Sequence, residues 1–508
     1  MDHREKESDL MQFFTSVSDF ISNLFLGMFS VAGALLMYQG YVNGKVMDFV
    51  SGLTCSTLVA VVYIAKYGWN RGRRIGKLLL TTKEIGKGGN GSVVYEGIYG
   101  YRQVAVKCVD KAQNPSAHSV IKYLTAADTH RNIVRLVGDE EDEKFLYICL
   151  ERCICNISDL VRMFSGYNLG VPDKTYNARM GKAKQSIQNK NGNDATKLWK
   201  DNGDPSPTLL VLMKEVAAGL VHLHQKTYKK QRKMVHGNLK PENLLISDEL
   251  PLCVKLSDIG TSCSTRGWQP KEVLCGGGSP TPASDLFSLG CVYYFCITAG
   301  EHPFGDDDSK RCQNIKNGNP PDLSFLDKQP EAKELISRLL SHESQDRPTA
   351  QEVLLHPLFW GEATRLSFLH ETSKKLTSKG PNDPLVVDID NTSSLVLSKE
   401  WIRELHPVLR NNKYWRTGYD FERVKDLVRL IRDKYEHFPE YPDDIKHILG
   451  ATPQPQGSQG ELEANPEAYY HYFASRFPNL FIEVYKVMKR HCENEMTFAT
   501  YFKNVKSN

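Results

Sequence analysis

Charge imbalance is missing from this 508-residue chain, in which 64 Lys and Arg face 60 Asp and Glu for a formal net charge of +4. An excess that small over this length does not argue nucleic-acid binding by bulk charge. The twelve cysteines include no CxxC pair and no His/Cys cluster at zinc spacing. Cys153 and Cys155, one residue apart, read as strand thiols, and scattered thiols fit a reduced cytosolic setting better than a disulfide framework. Internal repeats are absent too. With 41% hydrophobic and 24% charged residues the composition excludes global disorder. The length allows roughly two to four domains, each able to bury its own core.

Charge is also missing locally. Phe20 to Gly44 is a run of 25 residues without one charged side chain, and Phe49 to Ala65 is a second uncharged run of 17. The first is long enough to span a bilayer and the second sits at the short limit. The first is too long an apolar stretch for a cleaved signal peptide. Lys66, Arg71, Arg73, Arg74 and Lys77 come next as a basic flank, which predicts a cytosolic C-terminal side. One or two spans are compatible with these runs, and neither leaves room for a folded domain on the far side. A buried hydrophobic hairpin of a soluble domain is the competing reading.

From about Leu78 the pattern turns globular. Val104-Ala105-Val106 and Phe145 to Leu150 read as strands. Residues 165–207 are rich in Asn, Lys, Gly and Asp and read as a mobile insertion closed by Pro205 and Pro207. Leu209, Leu210, Met213, Val216, Ala217, Leu220 and Leu223 then fall on one helical face. The basic run Lys226, Lys229, Lys230, Arg232 and Lys233 reads as a solvated loop rather than an RNA site.

The most informative absence lies mid-chain, in His236-Gly237-Asn238-Leu239-Lys240-Pro241-Glu242-Asn243. This resembles the protein-kinase catalytic loop, with Gly237 and Asn238 where the signature has Arg and Asp. That Asp accepts the proton of the attacking hydroxyl, which an amide cannot do at neutral pH. Lys240 and the metal-binding Asn243 are kept. Gly86-Lys87-Gly88-Gly89-Asn90-Gly91-Ser92-Val93 matches the glycine-rich loop, whose backbone amides approach phosphates where a Cβ would interfere. Val104-Ala105-Val106-Lys107 supplies the lysine for the α/β-phosphates, and Ser257-Asp258-Ile259-Gly260 stands in the DFG position, with Asp258 for magnesium. Asp285 to Gly290 and Asp346-Arg347-Pro348 resemble anchors of the large lobe. The resemblance to the protein-kinase fold covers about Leu78 to Trp360.

Two further departures accompany Asn238. The segment His118 to Leu124 offers Lys107 no acid, with Val120 at the expected spacing, and Gln269-Pro270-Lys271-Glu272 is only loosely similar to the APE sequence. Loss of a general base typically costs about 10²–10⁴-fold. The resemblance therefore implies a domain that binds ATP or ADP with Mg but is impaired in phosphotransfer.

Past His356-Pro357-Leu358-Phe359-Trp360 the chain continues without a linker into Arg365 to Leu369. Tyr419, then Asp426 to Lys434, His437, and Tyr472 to Leu480 with Tyr485 beyond, come in order. This succession resembles the kinase–endoribonuclease family, the unfolded-protein-response sensor of the endoplasmic reticulum and its relative ribonuclease L. The chain resembles a plant member that lacks the lumenal sensor domain. RNA can be cut without metal if a base removes the 2′-OH proton, a cation steadies the phosphorane and an acid protonates the leaving 5′-oxygen, leaving a 2′,3′-cyclic phosphate. The resemblance assigns these parts to Tyr419, Arg432 and His437. Asp433 stands where the family has Asn. Phe421, Val424, Leu427, Val428, Ile431 and Tyr435 form an apolar stripe, so this stretch is expected to be an amphipathic helix carrying Arg432 outward. If the helix persists, Asp433 and His437 are i, i+4 neighbours.

The expected architecture is an α+β protein-kinase fold followed by an all-α ribonuclease (KEN) domain, with an N-terminal transmembrane segment or hairpin. Its parts are a polar N-terminus (1–19), one or two transmembrane helices (20–66), a basic juxtamembrane segment (67–77), a kinase-like domain (78–360) and the ribonuclease domain (361–508). The expected site residues are Gly86, Gly88, Gly91, Val93 and Lys107 for nucleotide, Asn243 and Asp258 for Mg, and Asn238 and Lys240 in the kinase loop. Tyr419, Arg432, Asp433 and His437 make up the ribonuclease site. Implied partners are an RNA substrate, nucleotide, the endoplasmic reticulum membrane, and a second copy or a related kinase–endoribonuclease as dimer partner. Two other readings fit the same residues: an active Ser/Thr kinase that also cuts RNA, and a non-catalytic partner of full-length relatives.

Overall fold

The computed structural model describes residues 72–88, 92–114, 117–127, 130–165, 180–189, 197–228, 232–247, 249, 251–260, 267–276, 278–412, 415, 417–451 and 463–503. The expected spans at 20–66, Gly91 and part of the insertion lie outside the described residues. Among the described residues no helix is long and apolar enough to cross a membrane. The chain divides into two compact units, one running to Ala117 and taking in Val137–Glu151, the other holding His118–Leu136 and everything from Arg152 onward.

The first unit is a six-stranded sheet ordered β1-β2-β3-β4-β6-β5, built from Arg73–Ile75, Leu78–Lys87, Val93–Tyr99, Arg102–Asp110, Leu136–Glu141 and Phe145–Glu151 in chain order. Its two apolar runs form strands as expected. Val104 and Val106, two residues apart and hence on one face, are fully buried, and Val106 lies directly opposite Cys149 on β6. Ile75, Leu78 and Tyr147 complete this core. Gly97 on β3 is fixed by that packing, because a Cβ there would sit 2.5 Å from Val106 Cγ2.

The second unit carries the helices. α1 (Ala117–Ala127) is followed by β7 (Cys153–Asn156) and α2 (Ile157–Phe164). α3 (Pro207–Gln225) starts where Ser206 caps the Leu209 amide at 3.2 Å and Pro207 presets the first turn. It buries Leu209, Met213, Val216, Ala217, Leu220 and Leu223 as the periodicity predicts, whereas Leu210 is only half-buried. α4 (Pro282–Ile297) is buried along nearly its whole length and opens with a reciprocal Thr281/Ser284 cap.

The structure corrects two expectations. The insertion is not irregular throughout. Residues 180–189 are helical and bury Met180, Ala183 and Ile187. Leu198 is buried, and Trp199 Nε1 donates to the carbonyls of Cys296 and Ile297, which end α4. Polar composition concealed these few apolar anchors. The basic run is not a plain loop either, because Thr227–Tyr228 pairs with Arg232–Lys233 as a short antiparallel hairpin.

α5 (Pro330–Leu339) and α6 (Ala350–Leu354) lead into a one-turn 3-10 segment, Pro357–Phe359, and then directly into α7 (Glu362–Thr377). The described residues beyond it form helices, α8 (Pro384–Asn391), α9 (Val424–Glu436), α10 (Pro466–Ala474), α11 (Leu480–Cys492) and α12 (Met496–Phe502), with shorter helical turns between. One continuous core fills this domain, centred on Phe368, Trp401, Trp415, Tyr469 and Phe498, each almost wholly buried. Trp360 at the junction packs edge-on to Phe368, Phe481 and Tyr485 with ring centroids 5.6–6.0 Å apart. Continuous aromatic packing replaces a linker, as the sequence suggests.

Candidate nucleotide and ribonuclease sites

The glycine-rich segment bends back on itself at the end of β2. Gly86 pairs with Val94, Lys87 with Val93, and the Gly88 amide donates to Ser92 O at 2.7 Å. A Cβ on Gly88 would lie 2.3 Å from Ser92 Oγ and 3.2 Å from Lys107 Cε, so any other residue must push those two side chains aside. Lys107, opposite Val94 on β4, is buried beneath this hairpin. Loop and lysine are thus brought together by strand register alone.

The catalytic-loop segment is held from below by one carboxylate. Asp285 of α4 accepts the His236 and Gly237 amides at 2.8 Å each and His224 Nε2 at 2.9 Å. Gly237 sits at φ +74°, a conformation glycine adopts at no steric cost. Asn238 is buried, and its carbonyl accepts Asn243 Nδ2 at 2.6 Å. Ser257 donates through its amide and its hydroxyl to Asn243 O, each at 2.9 Å. This ties the metal-type Asn to Asp258, which stands in the left-handed region at φ +55°. An amide oxygen and a carboxylate are hard donors of the kind magnesium takes, with phosphate and water completing its shell. Among the described residues no group of three or more His, Cys, Asp and Glu side chains is arranged to hold a metal alone. Lys240, at the start of the 3-10 turn Pro241–Asn243, is only partly covered.

α1 contains no acid, as its sequence predicts. It is tied to the catalytic loop by Tyr123, whose hydroxyl donates to Val235 O at 2.8 Å and accepts the Val235 amide at 2.6 Å. The segment only loosely similar to APE does form the expected kind of anchor. Glu272 receives both terminal nitrogens of Arg347 at 2.6 and 3.2 Å, and the guanidinium is almost fully buried.

The ribonuclease candidates gather around α9. Its buried face is Val424, Leu427, Val428, Leu430 and Ile431, with Phe421 and Tyr435 packed at the margin, so the expected stripe is borne out. Tyr419, against the same core, donates its hydroxyl to Asp433 Oδ2 at 2.9 Å. Burial first, and then Asp433, push the phenol well above its ordinary value, so it is protonated at neutral pH. Arg432 Nε and NH2 both reach Asp433 Oδ1, at 3.0 and 2.5 Å, and its NH1 reaches Thr377 Oγ1 at 3.4 Å. Its side chain is only 15% exposed, so the helix does not carry Arg432 freely outward.

His437 departs from expectation as well. It caps the C-terminus of α9 at φ −94°, ψ 12°, and only its backbone amide meets Asp433, at the carbonyl. The i, i+4 side-chain pairing does not form, because the chain leaves the helix at His437 and Asp433 turns to Arg432 and Tyr419. The imidazole Nδ1 pairs instead with Glu440 at 2.9 Å, and the ring is more than half exposed. Two cations to which the sequence assigns no part flank Tyr419. Arg429 lies over its ring at 4.7 Å and donates to Gly418 O, while Lys434 lies over it at 5.6 Å. Burial lowers the pKa of Lys434 against the pull of Asp433. Two basic residues on the margins of the apolar stripe were the available signal.

Residues 79–359 match the protein kinase domain model and residues 365–502 match the ribonuclease 2-5A model. The chain belongs to the kinase–endoribonuclease family. It is 38% identical over 457 residues to the serine/threonine-protein kinase/endoribonuclease IRE1a of Arabidopsis thaliana, covering 86% of this chain and 52% of that protein. To the rice protein named serine/threonine-protein kinase/endoribonuclease IRE1 it is 40% identical, covering 85% of this chain and 45% of that one. An Arabidopsis protein named inactive serine/threonine-protein kinase/endoribonuclease IRE1-like is 32% identical, with 84% and 78% covered. The chain thus spans about half the length of the first two relatives.

Proposed function

We propose that this chain is a membrane-anchored endoribonuclease of the endoplasmic reticulum, with its kinase-like and ribonuclease domains cytosolic. It acts in RNA cleavage or splicing of the unfolded-protein-response type. The observation that carries this reading is the shared carboxylate of Asp433, which engages both Tyr419 and Arg432 on a helix that His437 caps, within a domain that matches the ribonuclease model. Arg432 steadies the negative charge of the phosphorane, and His437, with Nδ1 turned to Glu440, offers Nε2 to the leaving 5′-oxygen. The 2′-hydroxyl proton passes to Tyr419 Oη as the phenol's own proton passes along its existing bond to Asp433. The 2′-oxygen then closes on phosphorus, leaving a 2′,3′-cyclic phosphate with no metal required.

The kinase-like domain serves as a nucleotide-responsive element that favours dimerisation of this chain with itself or with relatives. Gly86, Gly88, Gly91, Val93 and Lys107 hold ATP or ADP, and Asn243 and Asp258 hold Mg, which neutralises phosphate charge when bound. Asn238 gives phosphotransfer no proton acceptor. The deciding experiment is RNA cleavage by the purified protein with added ADP or ATP, repeated in EDTA. A metal-independent cut ending in cyclic phosphate supports the reading, and no cut in any dimeric, nucleotide-bound state sinks it. A second reading, a non-catalytic partner of full-length relatives, is favoured by one observation: Asp433 engages Tyr419 and Arg432 together.

A further inference from the structure

The guanidinium of Arg432 is the natural seat for the scissile phosphate, yet each of its three nitrogens already has a partner. Nε and NH2 converge on Asp433 Oδ1, and NH1 reaches Thr377. Glu436 Oε2 stands 3.8 Å from Nε as a reserve carboxylate. The neighbouring basic side chains are answered likewise, Arg429 by Asp426 at 3.3 Å and His437 by Glu440. A carboxylate and a phosphate present the same kind of acceptor oxygens to a guanidinium fork. Asp433 therefore occupies the place a phosphate would take. Its side chain is 25% exposed and that of Arg432 15%, so the pair reaches solvent and can exchange one anion for another.

We propose that Asp433 is a built-in anion that competes with the RNA phosphate for Arg432, so that substrate enters this site only by displacing it. The inference rests on the ribonuclease reading above, since it takes Arg432 as the phosphate seat. Asp433 is thereby a positioning residue that sets the RNA affinity of the chain. Asparagine at this position would still accept from Tyr419 but would neither neutralise Arg432 nor repel a phosphate. Affinity and turnover are thus expected to separate, because the same change removes the group that takes the phenol's proton.

The test measures binding of the full chain to a short single-stranded RNA carrying 2′-O-methyl groups, which lacks the nucleophile and cannot be cut. Asp433→Asn should bind it roughly tenfold more tightly at low salt, the scale set by removing one charge a few ångströms from a phosphate. The logarithmic salt slope should steepen by about 0.7, because Arg432 would then contribute one further released counterion on a single strand. Asp433→Ser should show the same gain. Both effects should vanish in an Arg432→Ala background. With unmodified RNA, KM should fall in Asp433→Asn without a rise in kcat. Unchanged affinity in both Asp433 variants, or a gain that persists without Arg432, overturns the proposal. If no form of the chain binds RNA, the ribonuclease reading fails together with it. If binding tightens as stated but no form cleaves unmodified RNA, the inference stands and only the catalytic reading fails.

Discussion

Arg365, in the first turns of the ribonuclease domain, reaches back to Glu331 of the kinase-like domain at 2.6 Å, with both side chains largely buried. The same guanidinium donates to Pro357 O and Tyr470 Oη and lies over the Phe481 ring at 5.2 Å. Removing it would leave a carboxylate buried without its main partner. Arg365→Leu is expected to cost about 2–4 kcal/mol, somewhat below a fully buried pair because both groups keep some solvent contact. Adding Glu331→Gln should recover part of that loss. Thermal or denaturant unfolding of the three variants measures it, and a loss no smaller in the double variant would show that the charge pair is not the cause.

A second cross-domain contact makes the junction sensitive to acid. His356 is buried, accepts the Leu358 amide at Nδ1, and so carries its proton on Nε2, which donates to Glu334 at 2.8 Å. Its ring stands edge-on to Tyr485 of α11 at 6.0 Å. Burial holds the histidine below its ordinary value despite Glu334, and the histidine bond keeps Glu334 low against its own burial. A histidine depressed in the fold destabilises as pH falls below its unfolded value near 6.5, since only the unfolded chain then takes the proton readily. A depressed glutamate adds to the loss further down, as pH drops below about 4.5 and through its folded value. Unfolding midpoints should therefore decline from pH 7 toward 5, and His356→Gln, which keeps a donor but cannot titrate, should flatten that limb.

Phosphotransfer should stay weak after a single repair. Asn238→Asp restores a proton acceptor in the catalytic loop, but α1 still presents Val120 where the kinase pattern offers Lys107 a glutamate. Asn238→Asp combined with Val120→Glu should recover more activity than the sum of the two changes, because base and lysine serve one transition state. A wild-type chain turning over at about 1–100 s⁻¹, as ordinary kinases do, would contradict this.

Binding of nucleotide should survive the loss of chemistry. Mg-ATP at about 100 times its dissociation constant is expected to stabilise the chain by roughly 2.7 kcal/mol. Gly88→Val should reduce that shift, since its side chain must displace Ser92 Oγ and crowd the Lys107 stem. A shift equal in both proteins would place nucleotide elsewhere.

How far the sequence reaches depends on the range of each interaction. The α9 stripe was legible because burial along a helix repeats every three to four residues, and all its predicted core positions are buried or pack at its margin. The side-chain geometry at the end of that helix was not. Whether Asp433 meets His437 or Arg432 turns on where the last helical turn breaks; Pro439, two residues past His437, signals the break without settling which way Asp433 turns. The Glu272–Arg347 anchor spans 75 residues, so its formation from a poor motif could not be read from either segment. In the insertion, polar composition was a correct average over 165–207 that hid Ile187, Leu198 and Trp199.

The role of His437 can be separated from that of its carboxylate neighbour. The ring projects at the end of α9, 58% exposed, with Nδ1 bonded to Glu440. His437→Asn should therefore leave the unfolding midpoint nearly unchanged while RNA cleavage falls by about 10²-fold or more, the scale for losing a general acid. Glu440→Gln keeps an acceptor for Nδ1 and so the orientation of the ring, so its loss should be smaller. An RNA with a 5′-thiolate leaving group needs no proton on departure. On that substrate both variants should approach the unmodified chain. A His437→Asn enzyme that stays impaired there would assign the histidine to holding RNA rather than to protonating the leaving oxygen.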